Sequence, residues 1–172
     1  MKTPISPKIS LDRLCHVAAQ QFDIRIASDG RWFHEGDEIL RIELVKLFAS
    51  ILVLDDKGDH WLATPAEKGR ITVDDVPFII RDMTVKTGAR SQQNEICFHT
   101  NIDETVLLDI KHPLRLCTAA HSPDLRPYID VRDGLLAKLS RPVYYRLADY
   151  AEVGPDGRLG VWSHNQFFEL EG

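Results

Sequence analysis

The sequence predicts an α+β protein made of two similar halves, each with a short helix packed on an antiparallel sheet. Three observations support this prediction. Segments that alternate apolar and polar residues are short and end at turn-forming sequences, as in β-hairpins. Other segments place apolar residues three or four positions apart, which is typical of helices. The order strand, helix, strand, turn and tryptophan-bearing strand occurs twice, which indicates an internal duplication.

The chain is predicted to start with a loose arm and a helix. Pro4 and Pro7 disfavour regular structure over residues 1–9. Ser10 suits a helix N-cap, and apolar residues then recur at helical spacing. They are Leu11, Leu14, Cys15, Ala18 and Phe22. Asp29-Gly30 predicts a turn after this helix.

A second helix is predicted over Ile39–Ala49 from its apolar spacing. Its buried side would carry Leu44, Leu47, Phe48 and Ile51. A hairpin follows, with a strand at Ile51–Leu54, a turn at Asp56-Lys57-Gly58 and a strand at His60–Pro65. Further strands are predicted over Arg70–Asp74, Phe78–Lys86, Glu95–Thr100 and Thr105–Ile110.

The last part of the chain is predicted to repeat the first. The predicted elements are a strand at Tyr128–Val131, a helix at Arg132–Leu139 that ends at Arg141-Pro142, a strand at Val143–Ala148, a turn at Pro155-Asp156-Gly157 and a strand at Leu159–His164. Leu44–Leu47 then aligns with Leu136–Leu139. The alternative is that two unrelated helix–hairpin units share an order. We divide the chain into an N-terminal arm and helix (1–24), a first repeat half (25–75), central antiparallel strands (76–127) and a second repeat half (128–172).

The composition argues against several classes of function. The formal net charge of −5 disfavours general nucleic-acid binding and an anionic membrane surface as partner. A local basic pocket for one small anion is compatible with that charge. Cys15, Cys97 and Cys117 form no CxxC pair, so reduced structural thiols are expected. Residues 1–10 lack the apolar run of a signal peptide, and we expect a cytoplasmic protein.

The sequence contains none of the familiar catalytic, metal or phosphate-loop motifs, and no cofactor is predicted. Cys97 and His99 alternate along a predicted strand and therefore share one face of it. The pair could be an activated thiol or half of a zinc site, or Cys97 could simply pack against its neighbours. We favour packing. The acidic segment Asp55–Asp59 is interpreted as a hairpin turn rather than a calcium loop. A hydrolase using His34 or His112 with Glu67 is the least favoured function.

Charged residues at turns and helix starts are candidates for contacting a ligand. Glu67 and Lys68 are adjacent on a turn, where a ligand contact or a surface ion pair fits equally. Arg41 and Arg132 are predicted at the starts of corresponding helices, where they would hold an anion or pair with a carboxylate. Position alone does not separate these alternatives.

His112 and Arg115 form a further candidate pair around Pro113. The forked guanidinium of Arg115 matches phosphate or carboxylate, and His112 can add a hydrogen bond. The alternative is a brace between the two halves, in which Arg115 pairs with a carboxylate.

An ordered set of motifs runs through the chain from about residue 25 to the C-terminus. It comprises Asp29-Gly30-x-Trp32-x-His34-x-Gly36, Leu44-Val45-x-Leu47-Phe48-Ala49-Ser50, Thr64-Pro65-x-Glu67-Lys68, Ile71-x-Val73-x-Asp75-x-Pro77-Phe78, Thr100-Asn101, His112-Pro113-Leu114-Arg115, and Arg132-x-Gly134-Leu135 with Val143-Tyr144-Tyr145. This set resembles the bacterial family called domain of unknown function 1285. One departure is Glu38, which stands where the family's proline is expected before Ile39 and weakens any transfer to that loop.

The resemblance implies a duplicated α+β fold whose second half is similar to a pleckstrin-homology barrel. It further implies a ligand pocket where the halves meet, suited to a nucleotide-like molecule, and a link to signalling. These implications come from the family and not from composition or spacing.

The leading hypothesis is therefore a sensor or binding protein for a small anionic ligand. Positive charge would come from Arg41, Lys68, Arg115 and Arg132, and hydrogen bonds from Glu67, Thr100, Asn101 and His112. The second hypothesis is a protein-interaction module with an exposed apolar patch near Trp162 and Phe167-Phe168, for a protein partner that the sequence does not identify. We favour packing of that C-terminal stretch as a last strand.

Overall fold

The computed structural model describes residues 11–118 and 124–170. The chain divides into two compact units, Met1–Asp74 and Asp75–Gly172. Within the described residues there are two α-helices against fifteen strands. The protein is therefore mostly β, and the α+β expectation holds only in the sense that each unit carries one helix. In the same residues, no helix has the length and apolar character needed to span a membrane.

The first unit is built on one six-stranded sheet with the strand order β3-β2-β1-β6-β5-β4. Its strands are β1 (Ala19–Ile26), β2 (Trp32–His34), β3 (Asp37–Glu38), β4 (Leu52–Leu54), β5 (His60–Ala63) and β6 (Lys68–Val73), with α1 (Ile42–Ser50) between β3 and β4. β1 and β6 pair in parallel, and the other neighbours pair antiparallel. The core of this unit contains Ile24, Ile26, Trp32, Val45, Ala49, Leu62 and Ile71.

The predicted N-terminal helix is wrong. Leu11–Leu14 forms a single 3-10 turn, and the following residues enter strand β1, while Ser10 and residues 1–9 lie outside the described residues. The buried residues of β1 are Ile24 and Ile26, two positions apart, as a strand requires. Pairing with both β2 and β6 outweighs the helical spacing of the preceding apolar residues.

The second predicted helix is confirmed as α1, although it begins at Ile42. Its buried face carries Val45 and Ala49, while Leu47, predicted to be buried, is 58% exposed. The hairpin turn after β4 is also confirmed. The carboxylate of Asp55 accepts hydrogen bonds from the backbone N–H groups of Lys57 and Asp59 and from Trp61 Nε1.

The second unit contains a six-stranded sheet and a smaller three-stranded one. The larger sheet has the order β10-β11-β12-β7-β8-β9, with β7 (Phe78–Lys86), β8 (Glu95–Thr100), β9 (Thr105–Leu107), β10 (Leu114–Thr118), β11 (Leu125–Arg132) and β12 (Leu135–Leu139). Helix α2 (Arg141–Ala148) follows, and then β13 (Glu152–Val153), β14 (Leu159–Ser163) and β15 (Gln166–Glu169). The strands predicted at Phe78–Lys86 and Glu95–Thr100 are confirmed with the same bounds.

Helix and strand are exchanged between Arg132 and Ala148 relative to the prediction. The predicted helix is strand β12, whose buried residues Leu135, Ala137 and Leu139 alternate. The predicted strand is helix α2, and Pro142 lies in its first turn, where no backbone N–H is needed. The proline thus starts a helix instead of ending one.

The internal repeat is present in the element order, but with a different alignment. The order β1-β2-β3-α1-β4-β5-β6 recurs as β10-β11-β12-α2-β13-β14-β15. Left-handed turns precede the third strand in both cases, at Glu35-Gly36 and at Asp133-Gly134. The alignment of Leu44–Leu47 with Leu136–Leu139 is therefore wrong, because the counterpart of α1 is α2. The four-part division of the chain stays a prediction.

Candidate functional site

A nearly buried acid–base group lies on the larger sheet of the second unit. The Tyr128 hydroxyl donates a 3.1 Å hydrogen bond to Asp75 Oδ1, and Lys138 Nζ donates one of 2.9 Å to Asp75 Oδ2. Tyr128 is 2% exposed, and the side chains of Lys138 and Asp75 are 14% and 10% exposed. Tyr128 and Lys138 are direct cross-strand neighbours on β11 and β12. One carboxylate is thus held by a phenol and an ammonium group with little water around it.

The surroundings of Tyr128 keep its hydroxyl protonated. Burial raises the pKa of Tyr128, and the negative charge and hydrogen bond of Asp75 raise it further, to about 12. Arg126 acts in the opposite direction but more weakly. At neutral pH, Tyr128 is therefore a permanent donor to Asp75 and not a general base.

Cationic side chains lie next to this group on the paired strands β10, β11 and β12. Arg115 on β10 lies opposite Tyr128, which in turn lies opposite Lys138, so the three residues form one row across the sheet. Arg126 precedes Tyr128 by two positions and shares its face of β11. We call Asp75, Arg115, Arg126, Tyr128, Asp130 and Lys138 the Tyr128 cluster. Its three cations exceed its two carboxylates, which favours an anion.

Two residues that were predicted to contact a ligand, His112 and Arg115, both contact Asp130 of this cluster. His112 Nδ1 lies 3.1 Å from the backbone oxygen of Asp130, and an Arg115 guanidinium nitrogen lies 3.9 Å from the Asp130 carboxylate. The backbone N–H of His112 donates to Asp109 Oδ1 at 2.9 Å, which fixes the loop before β10. The structure therefore brings His112 and Arg115 together through Asp130. Arg115 is 57% exposed, and its long contact leaves the guanidinium accessible.

Thr100, Asn101 and Arg132 form a separate group around the turn between β8 and β9. Thr100 is buried, and its hydroxyl accepts a 3.0 Å hydrogen bond from the backbone N–H of Glu104. The Asn101 side-chain oxygen accepts from the backbone N–H of Ile79 at 3.0 Å. These contacts stabilise the turn and attach it to β7.

Arg132 does not begin a helix, contrary to the prediction. It is the last residue of β11, where it pairs with Glu104 and lies over the Phe78 ring, 5.1 Å from the ring centroid. The corresponding helix begins at Arg141. The expected equivalence between Arg41 and Arg132 is therefore lost.

The three candidates in the first unit take separate positions. Arg41 precedes α1 as its N-cap residue and is exposed. Lys68 Nζ donates a 2.8 Å hydrogen bond to the backbone oxygen of Leu14. Glu67 contributes its backbone to the turn, because its N–H donates to the Thr64 hydroxyl at 3.1 Å. In residues 11–74, no hydrogen bond or ion pair joins these three side chains into one site.

Cys97 and His99 lie on the half-buried face of β8, opposite the buried face that carries Ile96, Phe98 and Thr100. Burial and the nearby charge of Glu95 raise the pKa of the Cys97 thiol, which disfavours a thiolate. The His99 ring lies between two hydroxyls, 3.1 Å from Thr84 Oγ1 and 3.0 Å from Thr105 Oγ1. Outside residues 1–10, 119–123 and 171–172, no group of three or more His, Cys, Asp or Glu side chains could hold a metal ion.

The apolar patch predicted near the C-terminus is packed rather than exposed. Trp162 and Phe167 meet edge to face with their ring centroids 5.2 Å apart, and Phe168 is buried. Any Cβ placed on Gly154 or Gly160 would overlap the Phe167 ring. The favoured prediction, a last strand, is confirmed by β15.

Sequence reasoning missed the centre of the Tyr128 cluster. Asp75, Arg126, Tyr128 and Lys138 come from three separate segments, and Lys138 was assigned to a helix. The usable signal was the alternation of Arg126, Tyr128 and Asp130, which puts all three on one face of β11, but the predicted strand Tyr128–Val131 was too short to include Arg126.

Fold and site together define a class of mostly-β proteins made of two units, each with one helix, and with a polar cluster on the sheet of the second. The chain belongs to the DUF1285 family. Residues 16–76 match the family's "Domain of unknown function (DUF1285), N-terminal domain", and residues 77–170 match its "Protein of unknown function (DUF1285), C-terminal domain". The family predicted from the ordered motifs is thus confirmed.

Two solved structures are similar to this chain. A DUF1285 family protein from Silicibacter pomeroyi DSS-3 is 35% identical with a TM-score of 0.82, and the match covers 90% of this chain and 82% of that one. A DUF1285 family protein from Shewanella baltica OS155 is 29% identical with a TM-score of 0.58, and the match covers 74% of this chain and 91% of that one. No curated protein matches the chain.

Proposed function

We propose that the protein binds a small anionic ligand of nucleotide-like chemistry and acts as a sensor for it. The observation that supports this most directly is the row Arg115–Tyr128–Lys138, with Arg126 beside it. On a chain with a net charge of −5, a local excess of cations is a specific arrangement and not a general property of the surface.

Within the Tyr128 cluster, the two arginines are the ligand-contacting groups in our proposal. Lys138 and Tyr128 already satisfy Asp75, so they orient the site instead of binding the anion. Arg115 keeps only a 3.9 Å contact to Asp130 and can turn its planar fork toward a phosphate or carboxylate. His112, attached to Asp130 through its Nδ1, would add a further hydrogen bond.

A role in signalling and the likeness of the second unit to a pleckstrin-homology barrel belong to the same proposal. Six strands, β7 to β12, precede the single helix α2, and this order is compatible with such a barrel. Two parts of the hypothesis stay predictions. One is the position of the ligand relative to both halves. The other is the contribution to binding of the remaining candidates, which are Arg41, Glu67, Lys68, Thr100, Asn101 and Arg132.

The proposal is tested by thermal shift with ATP, GTP, AMP, cyclic dinucleotides and inorganic phosphate as probes. A ligand that binds only the folded state adds about 2.7 kcal/mol at a hundredfold excess over Kd, which gives a clear rise in Tm. We expect one or more probes to raise the Tm of the wild type, and this rise to be lost in Arg115→Gln and in Arg126→Gln.

Arg158→Gln is the matched control. It removes the same charge, but Arg158 pairs with Glu169 on the smaller sheet, away from the Tyr128 cluster in the strand order. The proposal fails if no probe stabilises the wild type, or if both cluster variants respond as the control does. A large loss of Tm in Arg115→Gln without any ligand would instead identify Arg115 as a structural brace.

A further inference from the structure

Strand β7 has an open edge along its second half. β12 pairs with β7 only at Phe78, Ile79 and Ile80, after which the chain leaves the sheet for helix α2. On its other side, β7 stays paired with β8 as far as Lys86. Among the residues that the structure describes, no strand lies beside Met83–Lys86 on the side that β12 has left.

The backbone groups on this edge can be assigned from their partners. The Met83 N–H donates to Asp82 Oδ1 at 2.8 Å, and the Met83 oxygen accepts from an Arg146 guanidinium nitrogen at 2.7 Å. Both groups of Met83 therefore point away from β8. Because backbone groups of one strand alternate in direction, those of Val85 point the same way.

The residue opposite Val85 confirms this direction. Ile96 pairs with Val85 in the ladder, but its N–H donates to Ser163 Oγ at 3.1 Å and its oxygen accepts from the Leu108 N–H at 2.8 Å. Neither backbone group of Ile96 is directed at Val85. The N–H and C=O of Val85 are thus presented to the open edge, two residues along from those of Met83.

A groove of about 590 Å³ lies along this edge. Its walls are Met83, Thr84 and Val85 from β7, and Arg146, Asp149 and Tyr150 from α2 and the turn that follows it. Tyr150 is 40% exposed, so its ring is available to a neighbouring side chain. The groove therefore combines a strand edge with an aromatic surface.

We propose that this edge, Met83–Lys86 with Arg146, Asp149 and Tyr150, binds an extended peptide segment of another protein as an added strand. A peptide strand would bond the N–H and C=O of Val85, and its backbone would replace Arg146 and Asp82 at Met83. Arg146 and Asp82 also pair with each other. In the free protein, Asp82 and Arg146 satisfy the two backbone groups of Met83, and an incoming strand has to displace them.

The chemistry of the groove favours recognition through the peptide backbone over recognition of charge. Arg146 already pairs with Asp82, so the walls keep no unpaired cation to select an acidic segment, and Asp149 is the other charged group of the walls. Backbone groups repeated every second residue fit an extended chain, whose own groups have the same repeat. Tyr150 would contact an apolar or aromatic side chain of that segment.

The test uses a displayed library of random dodecamer peptides, selected on the full-length wild type, with binding measured by calorimetry. Val85→Pro removes the outward N–H without removing a hydrogen bond to β8, because that N–H points away from β8. We expect selected peptides to lose at least tenfold in affinity for Val85→Pro. We expect the exchange of the Val85 amide with deuterium to slow in the complex.

Paired N-methylated peptides provide a control that needs no protein variant. Alternate amides of an added strand point toward β7 and toward solvent. Methylation of one alternate set should abolish binding, while methylation of the other set should leave it within about threefold. This pair decides the question even if Val85→Pro does not fold.

Several outcomes would overturn the proposal. The first is that the selection enriches no binding peptide. The second is that peptides with either methylation pattern bind equally well. The third is that the bound peptide slows deuterium exchange of other amides but not of the Val85 amide. A wild-type dimer in sedimentation that dissociates in Val85→Pro would make a second copy the occupant, contrary to the proposal.

Discussion

Tyr128 and Asp75 are joined by a 3.1 Å hydrogen bond in which a nearly buried phenol donates to a nearly buried carboxylate. The two residues lie 53 positions apart in the chain, and Lys138 binds the second oxygen of the same carboxylate. This relationship decides at which pH the Tyr128 hydroxyl ionises and how much the contacts of Asp75 contribute to stability, and both consequences can be measured.

Tyr128→Phe should remove one late-titrating tyrosine. In the wild type, an ultraviolet titration should show one hydroxyl ionising at about pH 12, because burial and Asp75 disfavour the phenolate. The folded state then holds a proton that the unfolded chain loses near pH 10, so stability is complete below pH 10 and falls by roughly 1–3 kcal/mol as the pH rises through 12. Tyr128→Phe should lack this fall and lose about 1 kcal/mol at neutral pH.

Tyr145→Phe is the control for that titration, because Tyr145 is 66% exposed. The late hydroxyl should persist in this variant. Its disappearance from Tyr145→Phe, or its persistence in Tyr128→Phe, would contradict the assignment to Tyr128.

Lys138→Met should destabilise the protein by about 3 kcal/mol, because it leaves a nearly buried carboxylate without its cation. Adding Asp75→Asn should restore part of that loss, since the neutral amide no longer needs the ammonium group. Urea unfolding of the two single variants and the double variant measures the coupling. Strict additivity would show that the two charges do not interact.

Gly69→Ala should destabilise the first unit more than Gly36→Ala does. A Cβ on Gly69 would overlap the ring of Phe22, and overpacking of this kind costs roughly 1–3 kcal/mol. A Cβ on Gly36 meets no neighbour, but the φ of +86° is unfavourable for alanine and costs about 1 kcal/mol.

Phe22→Leu distinguishes these two causes. It should recover stability in Gly69→Ala, because a smaller side chain makes room for the methyl group, and it should not recover any in Gly36→Ala. Thermal unfolding of the four variants is sufficient. Equal effects of Phe22→Leu in both backgrounds would contradict the steric account.

His60 should give the protein an acid-sensitive step in stability. Burial lowers its pKa below the usual 6.5, against weaker opposing effects of Asp59 and Asp55. The unfolded chain therefore takes up a proton first, and the contribution of neutral His60 to stability is lost as the pH falls below 6.5. His60→Gln should show a shallower loss between pH 7 and 5 in thermal unfolding, whereas His16→Gln, at an exposed position, should follow the wild type.

Turns were the most predictable part of the fold. The sequences Asp56-Lys57-Gly58 and Pro155-Asp156-Gly157 were predicted to close hairpins, and Gly58 and Gly157 have φ values of +85° and +76°. A glycine in the left-handed region is a local requirement, so it is visible in a few consecutive residues. Strands β7 and β8 were also predictable from consecutive residues, because β7 begins with the apolar run Phe78-Ile79-Ile80 and β8 alternates along its six residues.

The two short segments on either side of Ser140 were the least predictable part of the fold. Leu135–Leu139 and Arg141–Ala148 have apolar spacings compatible with either structure, and the assignments were exchanged. Pairing of β12 with both β11 and β7 decides the first segment, and the position of Pro142 in a first turn decides the second. Those strand pairings are non-local and cannot be detected within the segment.

By itself, the sequence determined the hairpin turns, the antiparallel strands β7 and β8, the presence of a helix that the structure has at Ile42–Ser50, and the membership of the family. It also indicated that His112 and Arg115 lie close together, because they are three residues apart in the chain. Only the tertiary structure decided that Asp75, Tyr128 and Lys138 share one nearly buried site and that Met83–Lys86 keeps an open edge. The physical reason is that turn geometry depends on adjacent residues, whereas cross-strand register and strand edges depend on pairings between distant parts of the chain.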